Sequence, residues 1–293
     1  MATIACVGLG NMGGPMAANL VRAGHAVAGF DLSAAACAAA REAGVAVADS
    51  AAAAAAGAEV VLTMLPAGRQ LLDLYEGGLV AAAPAGALLI DSSTVDVEAA
   101  RRAHALAAAA GLMSVDAPVS GGVAGAAAGT LTFMAGGAPE AVERARPVLA
   151  AMGRRVVACG GPGAGQAAKM CNNMILGITM VGISEAFVLA EKLGLDHQAL
   201  FDVASTSSGQ CWALTNHCPV PGPVPASAAN HGYRPRFATA LMLKDLTLAR
   251  DAAAALGADA ALGSHAREIF ARFAEAGGGG LDYSAVIGAI RGG

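Results

Sequence analysis

The string Gly8-Leu9-Gly10-Asn11-Met12-Gly13 lies between a short apolar run at residues 4–7 and a run of helix formers at residues 15–21. A first glycine permits a tight turn, a second lets the backbone approach a pyrophosphate, and a third lets the helix pack closely on the strand. The helix N-terminus then faces the same point with free amide N–H groups and a partial positive charge. Strand, glycine turn and helix in this order predict the opening of a doubly wound α/β domain. Gly8, Leu9, Gly10, Asn11, Met12 and Gly13 are its expected dinucleotide contacts.

A second strand, expected at residues 26–30, ends at Asp31, about 20 residues beyond the glycines. A carboxylate there accepts from ribose hydroxyls and repels a 2′-phosphate, and no Arg follows in Leu32-Ser33-Ala34. NAD is therefore expected rather than NADP. Strands expected at residues 60–64 and 87–90 alternate with helices, one of them at residues 99–110. Such sheets hold ligands beyond the carboxyl ends of their strands. Met64, Leu65, Pro66 and Thr94 are then either walls of the cofactor cleft or ordinary loop residues. Strands at 113–115, 131–135 and 156–158, around a helix at 140–152, complete a Rossmann-type NAD domain over residues 1–162.

The 293 residues suffice for about two domains. A net charge of -4 and the lack of a basic block argue against nucleic acid or an anionic membrane as partner. No basic stretch precedes the first apolar run, so no signal peptide is expected. Residues 170–184 carry no charge but include Asn172 and Asn173 and run into Glu185. That is short of the roughly 20 apolar residues of a spanning helix and predicts a buried one. Six cysteines show no CxxC pair and no ligand-like clustering with histidines, since Cys211, His217 and Cys218 lack a matched second half. Free thiols in a reducing cytoplasm, and no metal, are the expectation.

A helical pattern runs from residue 165 to 193, with Gly194 as its stop. At 1.5 Å per residue it extends on the order of 40 Å, enough to join the first domain to an all-α second one over residues 163–293. Only three lysines, Lys169, Lys192 and Lys244, stand among 18 Lys+Arg residues, and Lys169 opens this apolar helix. A partly buried Lys can release its proton near neutral pH and Arg cannot. The bland alternative is a stem lying along the helix with its ammonium in water. Asn173, four positions on, shares the face of Lys169. Upstream, Ser120-Gly121-Gly122 offers a hydroxyl and open amides for a small carboxylate, or is simply a flexible loop.

Taken together, these strings resemble the β-hydroxyacid dehydrogenase family. The likeness runs almost end to end, through Val7 to Met16, Thr63-Met64-Leu65-Pro66, Asp91-Ser92-Ser93-Thr94, Asp116-Ala117-Pro118-Val119-Ser120-Gly121-Gly122 and Gly163 to Asn173. Ser207-Ser208-Gly209-Gln210-Cys211-Trp212 and Leu243-Lys244-Asp245-Leu246 resemble the branch acting on 3-hydroxyisobutyrate. The resemblance implies that Lys169 is the catalytic lysine. It implies that Ser120, Gly121 and Gly122 hold the substrate carboxylate, that Asn173 orients the substrate, and that Lys244 reaches the nicotinamide end of NAD. The implied reaction is oxidation of 3-hydroxyisobutyrate to methylmalonate semialdehyde in valine breakdown, with Lys169, its pKa lowered by burial, as general acid/base.

Tartronate semialdehyde reduction is the nearest alternative, and a non-catalytic NAD-binding scaffold is a more distant one. The family pattern is broken at Tyr233-Arg234-Pro235-Arg236-Phe237-Ala238-Thr239, where a glycine-rich run is usual. Residues 219–225, with four prolines, read as a rigid extended surface loop. Trp212 fits either a substrate pocket or a core or dimer contact. The long apolar helix implies a homodimer or homotetramer.

Overall fold

A computed structural model of the chain describes residues 1–292; Gly293, the last residue of the expected second domain, lies outside them. The chain divides into two compact units, Met1–Lys169 and Met170–Gly293. The first unit therefore includes the start of the long helix that opens at Ala164.

In the first unit, β1 (Thr3–Val7), β2 (Ala26–Phe30), β3 (Ala46–Val47), β4 (Val60–Thr63), β5 (Leu88–Asp91) and β6 (Met113–Asp116) are joined in the order β3-β2-β1-β4-β5-β6, all parallel. This is the doubly wound order, and its direction reverses beside β1, where ligands bind. β8 (Leu131–Gly137) pairs antiparallel with β6 and with β7 (Val119–Ser120), and β9 (Gly153–Gly160) runs parallel to β8.

Helices cover both faces of the sheet. They are α1 (Gly13–Arg22), α2 (Ala34–Glu42), α3 (Ala51–Ala55), α4 (Gly68–Leu74), α5 (Val80–Ala82), α6 (Val97–Ala109), α7 (Gly122–Ala128) and α8 (Pro139–Ala150). Within β1, Ile4 and Cys6 enter one apolar layer while Ala5 and Val7 enter the other. Burial on both sides is why the central strands read as unbroken apolar runs. Ser33, Ser50 and Asp96 cap α2, α3 and α6, each side chain accepting from the amide three residues on.

Helix α9 (Ala164–Leu193) leaves the first unit and enters the second, where it is followed by α10 (His197–Thr206), α11 (Trp212–His217), α12 (Thr239–Leu256), α13 (Ala261–Glu275) and α14 (Ile287–Ile290). Met180, Val181, Met242, Leu246, Ile269, Phe270 and Tyr283 form the centre of this helical unit. Two expectations are corrected here. By length and hydropathy α9 could cross a bilayer, yet only 44% of its most apolar window is buried in the protein. It is half-buried, with Ile175 and Leu189 outward at 61% and 58% exposure. Residues 219–225 form no helix, as expected, but they are not wholly a surface loop. Val220 is fully buried among Phe187, Leu214, Cys218 and Ile287, because an apolar side chain between two prolines still gains by leaving water.

Candidate active site

The turn after β1 is built by close backbone approaches. Gly8 has φ +91°, donates its N–H to Phe30 O at 2.9 Å, and lies so near Met64 O that a Cβ would overlap it. A Cβ on Gly13 would likewise overlap Gly8 O. Gly10 differs, since nothing lies within 4 Å of where its Cβ would point. Gly10 and Asn11 are exposed, Met12 is half-buried and Leu9 is buried. No side chain caps α1 and its first turn carries no acid, so no side chain competes with an anion at this helix N-terminus. Open space over Gly10 at an uncapped ten-residue helix fits a dinucleotide pyrophosphate.

Asp31 closes the turn from the side. Its Oδ2 accepts from Leu9 N and its Oδ1 from Ser33 N, both at 2.7 Å. The carboxylate is half-buried, which leaves lone pairs for ribose hydroxyls, and the carboxylate's charge disfavours a 2′-phosphate.

Met64 and Leu65 at the end of β4 are half-buried, Pro66 is exposed, and Thr94, beyond β5, is half-buried. Leu65 N donates to Ser93 Oγ at 2.8 Å, which ties the two strand ends together. Beneath them Asp91 Oδ1 accepts from Thr63 Oγ1 at 2.7 Å and from Ser93 Oγ at 2.6 Å, while Oδ2 has no hydrogen-bond partner. Burial pushes the Asp91 carboxyl up to about 6, against the hydrogen bonds from Ser93 and Thr63 that pull it down. The neighbouring Tyr75 phenol is also pushed well up by burial and by the charge of Asp91.

At the far side of the sheet, β6 runs into Asp116 and the segment that follows. Lys169, only 7% exposed, donates from Nζ to Val119 O at 2.8 Å. Its ammonium is thus turned inward and does not extend along the helix into water. Ser120, Gly121 and Gly122 follow Val119 directly. Ser120 and Gly122 are half-buried, and both glycines have positive φ, +134° and +61°. That conformation is open to glycine and strained for other residues.

In the second unit, Asn173 is 2% exposed and its Nδ2 donates to Asp245 Oδ2, while Asn172 Nδ2 donates to Asn173 Oδ1 at 2.9 Å. Lys244 Nζ lies 3.9 Å from Asp245 Oδ1. Asp245, itself 3% exposed, therefore joins two residues the sequence singled out, a role the sequence reading missed. The available signal was a carboxylate within the apolar register of α12. Trp212 is 55% exposed and stacks on His217 at 4.7 Å, so it is not a core residue. His217 is driven toward its neutral form by burial. At the broken family pattern, Arg236 donates its backbone N–H to Asp282 Oδ2 and its guanidinium to Ala226 O, both at 2.9 Å.

No group of three or more potential metal ligands occurs among the described residues, and all six cysteines are free. The fold, the glycine turn and Asp31 define an NAD-dependent oxidoreductase with an N-terminal Rossmann-type domain. Residues 3–161 match the family model of the NAD binding domain of 6-phosphogluconate dehydrogenase. Residues 163–290 match that of the NAD-binding domain of NADP-dependent 3-hydroxyisobutyrate dehydrogenase. The Mycobacterium tuberculosis 3-hydroxyisobutyrate dehydrogenase, solved with L-serine, superposes with a TM-score of 0.96 at 57% identity over 99% of each chain. The Pseudomonas aeruginosa 3-hydroxyisobutyrate dehydrogenase is 50% identical over 100% of this chain and 99% of its own. An NAD-dependent L-serine dehydrogenase of the same organism is 44% identical over 98% and 97%. The chain belongs to the 3-hydroxyisobutyrate dehydrogenase family.

Proposed function

We propose that this enzyme oxidises 3-hydroxyisobutyrate to methylmalonate semialdehyde with NAD, Lys169 acting as general acid/base. The observation that carries the reading is the buried Lys169 amine on Val119 O at 2.8 Å, one residue before Ser120-Gly121-Gly122. A proton acceptor thus adjoins a hydroxyl and two open amides suited to a carboxylate. In its neutral form this amine has a lone pair that can take the alcohol proton. In the oxidation the O–H bond yields its proton to Lys169 Nζ as the C3–H bond yields its hydride; in reverse, the ammonium donates to the aldehyde oxygen. NAD, when bound, supplies the hydride acceptor. It would be held by Gly8, Leu9, Gly10, Asn11, Met12, Gly13 and Asp31, flanked by Met64, Leu65, Pro66 and Thr94.

Asn173, one turn beyond Lys169 on α9, orients the substrate in this reading. Lys244 takes the role the family pattern implies, beside the nicotinamide. A second β-hydroxy acid, L-serine, is favoured as alternative substrate by the L-serine dehydrogenase relative and by the L-serine-bound mycobacterial structure. Tartronate semialdehyde reduction is the other alternative, since a hydroxyl in place of a methyl is discriminated only modestly by an apolar pocket. We further propose a soluble cytoplasmic enzyme of valine degradation, with exposed Ile175 and Leu189 meeting a second copy in a dimer or tetramer.

Steady-state kcat/KM for NAD-linked oxidation of 3-hydroxyisobutyrate and L-serine, and for reduction of tartronate semialdehyde, tests the assignment. The expected result is at least about a tenfold preference for 3-hydroxyisobutyrate. A preference for either of the others would replace the substrate and leave the proton-transfer scheme standing.

A further inference from the structure

The start of α9 is held by a chain of hydrogen bonds that the proposed reaction does not use. Ser114 Oγ lies 2.6 Å from His104 Nδ1, and His104 Nε2 lies 2.9 Å from Asp116 Oδ1. The same Asp116 oxygen accepts from Gly163 N at 2.8 Å, and Oδ2 accepts from Gln166 N at 3.0 Å. Asp116, at the end of β6, thereby caps a helix that begins about fifty residues later in the chain. A Cβ on Gly136 would fall 2.6 Å from Asp116 Oδ1 and one on Gly165 2.8 Å from Oδ2, so both glycines make room for the carboxylate.

Gln166 supplies a second fastening. Its Nε2 donates to Ser93 O at 2.8 Å and its Oε1 accepts from Val95 N at 3.1 Å. Lys169 follows one turn later on the same face, with Nζ on Val119 O. The register of that first turn therefore sets where the amine falls, and a displacement on the order of 1 Å costs a large share of rate. Two amides bind the Asp116 carboxylate from the helix side, and among the described residues His104 is the one side-chain donor on it. The His104 and Asp116 side chains are 10% and 2% exposed, so water is a poor substitute for the imidazole N–H.

We propose that His104, acting through Asp116, is a positioning residue for Lys169. The proposal rests on reading Lys169 as the proton-transferring group. His104→Leu is expected to lower kcat about tenfold while KM for the hydroxy acid and Kd for NAD stay within about twofold. His104→Gln, which keeps an N–H donor, is expected to recover most of kcat. Three lysines in the chain give three signals on 13Cε-lysine labelling, and that of Lys169 is the one lost in Lys169→Arg. This signal should move in His104→Leu and return in His104→Gln.

A lower Tm in His104→Leu with the Lys169 signal and kcat unchanged would overturn the proposal. If the parent turns over no hydroxy acid, the lysine signal still decides. A shift upholds positioning while the proposed chemistry falls, and no shift overturns it. Should His104→Leu fail to fold, Asp116→Asn serves in its place, because one carbonyl oxygen cannot accept from two amides in the same arrangement. An unmoved Lys169 signal there counts equally against the proposal.

Discussion

Asp91 is a carboxyl whose own fold works against its charge. Its value rises from an ordinary 3.8 to about 6, chiefly by burial, and one oxygen goes without a partner. Between those two pH values the folded chain holds a proton that the unfolded chain has released. Stability attributable to Asp91 therefore falls as pH rises from about 4 to about 6, and the full cost, at most about 3 kcal/mol, is present above that. Asp91→Asn keeps an acceptor for Thr63 and Ser93 and carries no charge. Urea unfolding of variant and parent should show the variant gaining relative to the parent as pH is raised from 4 to 6.5. A difference that does not change with pH would refute the buried-charge explanation. Asp91 also illustrates a limit of reading by polarity. Asp91 and Asp116 look like loop residues in sequence, yet each ends a strand and the two are ladder partners. The hydrogen-bonded ladder extends to the carboxyl ends of its strands whatever side chain stands there.

Among the elements, the β1–turn–α1 unit was legible because its causes are local. Glycine spacing, the apolar run before it and the helix formers after it lie within about twenty residues. Gly8→Ala puts a methyl on Met64 O at φ +91°, so β1 and β4 must separate or the turn must rearrange. A cost of about 1–3 kcal/mol for the backbone alone is expected, with NAD affinity lost beyond it. Thermal denaturation with and without NAD measures both, and an unchanged Tm with intact NAD stabilisation would refute the close-approach account. The start of α9 was not legible in the same way. Its cap comes from Asp116 and its side fastenings from Ser93 and Val95, each about fifty residues or more away in sequence. A Pro-Gly turn marked roughly where the helix begins, but nothing local names the carboxylate that receives it.

At the scale of the whole molecule, the two-part organisation followed from a change of period. Short apolar strands alternate with Ala-rich helices as far as residue 160, and helical spacing continues from there. What a single chain could not reveal was pairing between helices, where Asp245 of α12 meets Asn173 of α9. Such contacts depend on how helices pack and leave no fixed spacing in sequence. The same organisation gives Lys169 its setting, at the end of the first unit and on the helix that continues into the second. The most direct measurement is NADH formation from 3-hydroxyisobutyrate by the parent and by Lys169→Ala, with NAD binding followed in parallel. Loss of kcat by about 10²–10⁴-fold with Kd for NAD nearly unchanged is the expected result. A variant that keeps parental kcat while binding NAD normally would contradict the role of Lys169 in proton transfer.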